Sequence, residues 1–328
     1  MKKTISVAPM MDCTDRHERY FLSLISQSIH LYSEMVVSNA IIRGDRDKIL
    51  LFKKVKNPTI LQLGGSNPAE LAEVCKISEQ YGYDEINLNL GCPSKKVQKN
   101  KFGACLMKEP NLVADCVNAM INATKLPVSI KTRIGYDNIE DFEFLKEFIT
   151  TLKQAGTKKF IIHARRAILK KLSPKQNLSI PPLKYDFVYR LKKEFKDDEI
   201  IINGGISETN QIKEHLEKVD GVMLGRAIYH SPYFLAEIEK EVYQNKKVPS
   251  RTEVMEKLIP YIQEETKKGV QLNHIMRHTV GLFHGQNGSR QWKQYLSKHM
   301  CIRDADVQKV DHIMDQIKNS NTSTSLER

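Results

Sequence analysis

The chain has 328 residues, 41% of them hydrophobic and 27% charged, which is the balance of a soluble globular protein and excludes disordered, collagen-like and low-complexity classes. At about 150 residues per domain, that length holds about two domains, or one large α/β barrel with an appendage. Fifty-one Lys and Arg against thirty-nine Asp and Glu leave a net charge of +12, enough to concentrate a polyanion; nucleic acid is the leading candidate, and simple solubility is the plain alternative.

The N-terminus, MKKTISVAPM, passes from two lysines into a short apolar stretch without the apolar core or cleavage site of a signal peptide. No window approaches the roughly 18 continuous apolar residues of a membrane span, so a cytoplasmic protein without a membrane partner is expected. The cysteines Cys13, Cys75, Cys92, Cys105, Cys116 and Cys301 are scattered without a CxxC pair. That pattern predicts reduced thiols, with neither a disulfide framework nor a structural zinc site.

In chain order, short apolar or alternating runs predict strands at Ile5 to Ala8, Leu31 to Val36, Thr59 to Leu63, Glu85 to Leu90, Val128 to Thr132, Phe160 to His163, Ile200 to Asn203 and Gly221 to Leu224. Amphipathic stretches between them, Pro68 to Tyr81, Pro110 to Thr124, Ile139 to Ala155 and Glu208 to Val219, predict helices. An open doubly wound sheet shows the same α/β alternation. A (β/α)8 TIM barrel is favoured because APMMDCTD, EMV, QLGGS, NLNLGCPS, KTRIG, HARR, NGG and GR all stand at C-terminal strand ends, which converge in a barrel on one catalytic face. After Ser231 the strand rhythm gives way to charged helical patterns. The expected organisation is a barrel over 1–230, a C-terminal helical domain over 231–318 and a disordered tail over 319–328, where SNTSTSLER lacks apolar anchors. A long basic connection, Arg165 to Lys184, follows the sixth strand on the same face, and loops of that length are functional or disordered.

Asn203-Gly204-Gly205 after the seventh strand and Gly225-Arg226 after the eighth occupy the position where barrels bind phosphate through backbone N–H groups. Singly, such glycines are tight turns; as a pair at these two strands they point to phosphate, with Arg226 a charged donor. Cys92 lies between glycine and proline just past the fourth strand, where a rigid turn presents a thiol at the barrel mouth. Cys75 and Cys116 fall within amphipathic helices and are assigned to packing. Lys131 and His163 end the fifth and sixth strands, and a lysine in a barrel strand calls for an anionic or electron-rich ligand or a structural ion pair. Gln62 ends the third strand, where its amide can meet a flat heterocycle, and alternation puts Asn87 and Asn89 on one side of the fourth.

His274 and His278 share a helix face at i, i+4 without a following carboxylate, so packing or surface roles are expected and no metal. Nearby, Arg277, Arg290, Lys293 and Lys298 surround Trp292 and Tyr295. Basic and aromatic residues mixed on a helix suit RNA, and a solvated charged face over a buried Trp fits nearly as well.

Taken together, APMMDCTDRHERYFL, YSEMV, ILQLGGS, YDEINLNLGCPSKKVQ, FGACLM, KTRIG, FIIHAR, INGGI, GVMLGR and RHTVGLFHGQNGSRQWKQYLS closely resemble the tRNA-dihydrouridine synthase family, and within it the A-type bacterial members. The resemblance implies an FMN-containing barrel followed by a helical domain that grips tRNA. It implies that Pro9, Met10, Met11, Gln62, Lys131, His163, Asn203, Gly204, Gly205, Gly225 and Arg226 hold FMN, and that Cys92 is the proton donor. NADPH would reduce the flavin, which would pass hydride to C6 of a D-loop uridine at position 20 or 20a while the thiol protonates C5. The uridine must leave its stack to be reached, and Asn89, Arg165, Arg166, Arg290 and Lys293 are the expected tRNA contacts. A monomer is expected. The sequence reads DCTD where A-type members usually read DWTD, so Cys13 stands in place of a tryptophan, with a looser flavin pocket expected.

Two other readings accompany this one. An FMN barrel acting on a small molecule such as a dihydropyrimidine shares the fold, but has no use for an RNA-sized basic platform. A non-catalytic tRNA-binding module has no use for Cys92, Lys131 and His163 together.

Overall fold

In the computed structural model, which describes residues 3–299, eight parallel strands close into a barrel in sequence order, β8 pairing back onto β1. They are β1 (Thr4–Val7), β2 (His30–Val37), β3 (Thr59–Gly64), β4 (Glu85–Leu90), β5 (Val128–Arg133), β6 (Lys159–His163), β7 (Glu199–Asn203) and β8 (Gly221–Leu224). Every predicted strand is present. Cys301 and the tail expected at 319–328 lie outside the described residues.

The helices follow from local chemistry. Asn67 caps Pro68–Ser78 by accepting the N–H groups of Ala69 and Glu70, with Pro68 in the first turn where its missing N–H costs nothing. The sequence pattern runs on to Tyr81, but the last turn tightens to a 3₁₀ turn, Glu79–Tyr81, and ends at Gly82 with φ +79°. The helix predicted from Ile139 starts later, at Phe142. Tyr136 and Ile139 exchange backbone hydrogen bonds of 2.9 and 2.8 Å across a tight turn, which takes Ile139 out of the helix and leaves it exposed.

Side chains alternate along each strand, so one residue in two faces the barrel interior. Ala8, Tyr32, Ile60, Ile161, Ile201 and Met223 form an apolar layer there. A polar layer accompanies it. Lys159 pairs with Glu85 at 2.9 Å and reaches Glu199 at 3.7 Å, and Glu199 accepts from Thr4 Oγ1 at 3.1 Å. Burial, with Glu85 and Glu199 close by, holds the Tyr32 phenol well above its usual titration range.

The described residues divide into two compact units: 3–14 with 29–225, and 15–28 with 226–299. The first contains the barrel. In the second, the helix Arg16–Ile25 packs on Phe234–Glu241, Arg251–Lys267 and Leu272–Met276. Asp15 caps that helix and receives Arg277 at 2.6 Å and His278 at 3.0 Å. Burial alone would raise its carboxyl, but His278, the Glu18 N–H and Arg277 together hold it well below the usual carboxylate range. Tyr20 stacks on Tyr261 at 4.0 Å, and His17 Nδ1 lies 2.7 Å from the Tyr261 hydroxyl. Trp292 is fully buried, its indole N–H donating to the Thr279 carbonyl at 2.9 Å. Among the described residues no helix is long and apolar enough to cross a membrane.

Candidate active site at the barrel mouth

Cys92 sits in a turn held on three sides. The Asn89 side-chain oxygen accepts the N–H groups of Gly91 at 3.1 Å and of Cys92 at 2.9 Å. The Cys92 carbonyl accepts the N–H of Ala104 at 2.9 Å, and Arg133 Nε donates to the Gly91 carbonyl at 2.8 Å. Gly103, at φ +75°, allows the close approach: a Cβ there would stand 2.7 Å from the Cys92 oxygen and 2.5 Å from Val97 Cγ1. The GCPS and GACLM motifs are thus one structure. The Cys92 thiol remains partly exposed.

Beside it lie two buried cations. Burial lowers Lys131 to about 7, with Arg133 pushing the same way and Cys92 opposing; its ammonium donates to Asn203 Oδ1 at 3.1 Å. Arg133 is lowered to about 10, again by burial first. It also donates to the carbonyls of Arg166 and Asn177, both at 3.2 Å, which fastens the Cys92 turn to the loop after β6. Sequence reasoning did not single out Arg133. Its signal was present, because Arg133 faces the same side of β5 as Lys131.

The Asn203-Gly204-Gly205 turn has both glycines at positive φ, +127° and +70°. A Cβ on Gly204 would meet His163 Cδ2 and Leu183 Cδ2 at 2.9 Å, so the turn lies directly against the imidazole. The Tyr185 hydroxyl donates to the Gly204 carbonyl at 2.6 Å. Gly225 is different: a Cβ there would meet nothing nearer than Met10 Sδ at 3.6 Å and Ala8 Cβ at 3.8 Å. Nothing in the barrel itself demands glycine at that place.

The loop after β1 is locked by Thr14, whose hydroxyl accepts the Met10 N–H at 2.9 Å. The Cys13 N–H donates to the Met10 carbonyl at 3.1 Å, and Met11 is 57% exposed. Pro9 and Met10 precede it, half-buried. The amide of Gln62 is engaged on both sides, donating to Asn87 Oδ1 at 2.7 Å and accepting from Asn89 Nδ2 at 2.8 Å.

The expected RNA contacts divide. Asn89 is buried and committed to the Cys92 turn and to Gln62, leaving one amide hydrogen. Arg166 pairs at 3.5 Å with Glu140 in the connection after β5, and Arg165 donates to the Pro181 and Ser179 carbonyls of the loop that follows it. That loop is ordered around Asn177, fully buried, whose side chain accepts from Ile168 N at 2.7 Å and donates to the carbonyls of Ile168, Leu172 and Ser173. Lys170, Lys171 and Lys175 are its exposed cations. In the second unit, Arg290 and Lys293 are exposed and line an open cavity of about 750 Å³ with Gln286, Asn287, Ser289 and Gln294. Trp292 is core and Arg277 belongs to the Asp15 cluster. His278 is buried on Asp15 while His274 is exposed, and no group of His, Cys, Asp and Glu among the described residues is arranged to hold a metal.

The chain matches the family described as Dihydrouridine synthase (Dus) over residues 6–318. It is 48% identical over 302 residues to a tRNA-dihydrouridine(20/20a) synthase of Synechocystis sp., covering 92% of this chain and 90% of that protein. A protein of the same name from Shewanella oneidensis is 49% identical over 311 residues, 94% of this chain and 92% of its own. A third, from Escherichia coli, is 48% identical over 311 residues, 94% of each. With this match along almost its whole length and its strand-end motifs gathered at one barrel mouth, the chain belongs to the dihydrouridine synthase family.

Proposed function

We propose that this protein reduces the C5–C6 double bond of D-loop uridines at positions 20 and 20a of tRNA to dihydrouridine, using FMN held in the barrel and NADPH as reductant. The observation that carries the reading is the Cys92 turn, fastened by Asn89, Ala104 and Arg133 at the same mouth as buried Lys131 and the Asn203–Gly205 turn. The names of the relatives supply the substrate positions.

The residues present fit a flavin mononucleotide. Gly225 leaves open a space that a side chain would fill, next to the two-glycine turn with its backbone N–H groups, which suits a phosphate. Arg226, next in the chain, is the proposed charged donor. Lys131, buried at the mouth, suits an electron-rich ring edge, and Pro9, Met10, Met11, Gln62 and His163 are the proposed neighbours of the ring system. When bound and reduced by NADPH, the flavin supplies the hydride that C6 of the uracil takes up.

Cys92 then closes the reaction. As the C5–C6 π bond is lost, its S–H bond breaks and the proton goes to C5, so hydride and proton together add one H₂; the thiolate takes a proton back from solvent. Asn89 holds the thiol's backbone and keeps one N–H for the flipped base. Asn89, Arg165, Arg166, Arg290 and Lys293 are the proposed tRNA contacts, with the unit that holds the barrel as the catalytic part and the second unit as the tRNA-binding part.

The test is mass analysis of unmodified tRNA transcripts after incubation with the protein, FMN and NADPH. A gain of about 2 Da at the fragments carrying positions 20 and 20a is expected, absent with Cys92→Ala. Equal turnover of free uridine and tRNA would instead support the small-molecule reading.

A further inference from the structure

An unbroken line of hydrogen bonds runs through the barrel interior from the Cys92 turn to the opposite end. Starting at the far end, Glu85 is paired with Lys159 at 2.9 Å and accepts from the Ser129 hydroxyl. Ser129 Oγ accepts from Asn87 Nδ2 at 2.8 Å, Asn87 Oδ1 from Gln62 Nε2 at 2.7 Å, and Gln62 Oε1 from Asn89 Nδ2 at 2.8 Å. Asn89 Oδ1 is thereby left facing the N–H groups of Gly91 and Cys92. Gln62, Asn87 and Ser129 are essentially sealed from solvent, and Glu85 and Asn89 are 8% exposed.

Each amide in this line can in principle sit either way round, since its oxygen and nitrogen are nearly the same size. The direction is decided at the ends. A carboxylate only accepts, so Ser129 must donate to Glu85 and receive from Asn87, and each following amide has one orientation left. We propose that Glu85 is a positioning residue for Cys92: its carboxylate, through Ser129, Asn87 and Gln62, sets the orientation of Asn89 that gives the Cys92 turn its acceptor.

The inference rests on the reading of Cys92 as the proton donor only for its catalytic consequence. Its structural consequence stands alone. In Glu85→Gln, the new amide turns its oxygen to the Lys159 ammonium and its NH₂ to Ser129. Ser129 then has no carboxylate to donate to, the order that Glu85 imposes along the line is relaxed, and Asn89 is held less firmly with its oxygen toward the N–H groups of Gly91 and Cys92. Ser129→Ala breaks the line at its second member. Glu199→Gln removes a carboxylate from the same Lys159 cluster without touching the line, and is the control for lost charge.

The experiment is amide hydrogen exchange of the peptide carrying Gly91 and Cys92 in the full-length protein, alongside turnover at saturating tRNA. Glu85→Gln and Ser129→Ala are each expected to speed exchange of that peptide by about tenfold or more and to lower kcat by a similar factor with KM for tRNA unchanged, the scale set by a buried donor left without its acceptor. Glu199→Gln should match the parent in both. Unchanged exchange at the turn in both variants, or equal acceleration in Glu199→Gln or throughout the barrel, would overturn the proposal. Faster local exchange with unaltered kcat would keep the relay and strike instead at the role given to Cys92.

Discussion

A thiol serves as an acid only when it is presented to the right carbon, and in the proposed reaction three backbone tethers around Cys92 do that presenting. Cys92→Ala removes the proposed proton donor and none of the tethers. It is expected to keep flavin and tRNA affinity while losing turnover by about 10²- to 10⁴-fold, the usual worth of a positioned acid, as single-turnover assays would show. Lys131 makes a second prediction. Burial lowers it from 10.5 to about 7, so between those values the unfolded chain binds a proton that the folded chain has released. Stability contributed by this group therefore rises with pH across that window, and its full penalty is felt below pH 7. In the flavin-free protein, Lys131→Met should raise Tm most near about pH 6, with the gain shrinking toward about pH 10; a gain independent of pH would contradict it. Cys92 and Lys131 were legible in the sequence because each is an unusual residue at a strand end. Arg133 could be placed beside Lys131 from its register on β5, but its role could not, because its three carbonyl partners come from two separate loops that only folding brings together. Nor was the part of Asn89, since a side chain bonding two residues ahead of itself looks like any other polar residue.

At the level of elements, all eight strands could be read from apolar runs, since a parallel sheet buried on both faces needs them. Helix ends were less readable, because the turn joining Tyr136 and Ile139 is fixed by backbone bonds, not by side-chain periodicity. The connection after β6 is the element where the sequence was least informative. Its length alone left function or disorder open. The structure shows a loop wound on one buried asparagine and fastened to β5 by Arg133. Asn177→Ala takes the side-chain partner from the partly buried Ile168 N–H and from the Ile168 and Leu172 carbonyls, at a cost of about 1–3 kcal/mol. Limited proteolysis is expected to cut that loop faster and the KM for tRNA to rise, with flavin affinity unaltered. Resistance equal to the parent would show that Arg133 and the prolines suffice to hold it.

For the whole molecule, the net charge of +12 is distributed over both units. Arg165 is engaged by carbonyls of its own loop and Arg166 by Glu140 of the connection after β5, whereas Arg290 and Lys293 project from an exposed helix face. Replacing Arg290 and Lys293 together with alanine should weaken tRNA binding and flatten the dependence of log affinity on log salt by roughly one unit of slope for each phosphate they neutralise, while NADPH oxidation continues. An unchanged slope would remove them from the interface. That Asp15–Ser28 joins residues 226–299 was beyond sequence reading, because the Asp15, Arg277 and His278 cluster links positions far apart in the chain.

The central claim is that the barrel mouth passes reducing power from NADPH to tRNA. Its most direct test is the visible spectrum of the FMN-loaded protein under anaerobic conditions, first with NADPH and then with unmodified tRNA. The account predicts flavin bands that bleach with NADPH and return on addition of tRNA, with return slowed in Cys92→Ala. Reduced flavin that stays bleached with tRNA but reoxidises with a free dihydropyrimidine's oxidised partner, or a protein that binds tRNA and takes up no flavin, would contradict it.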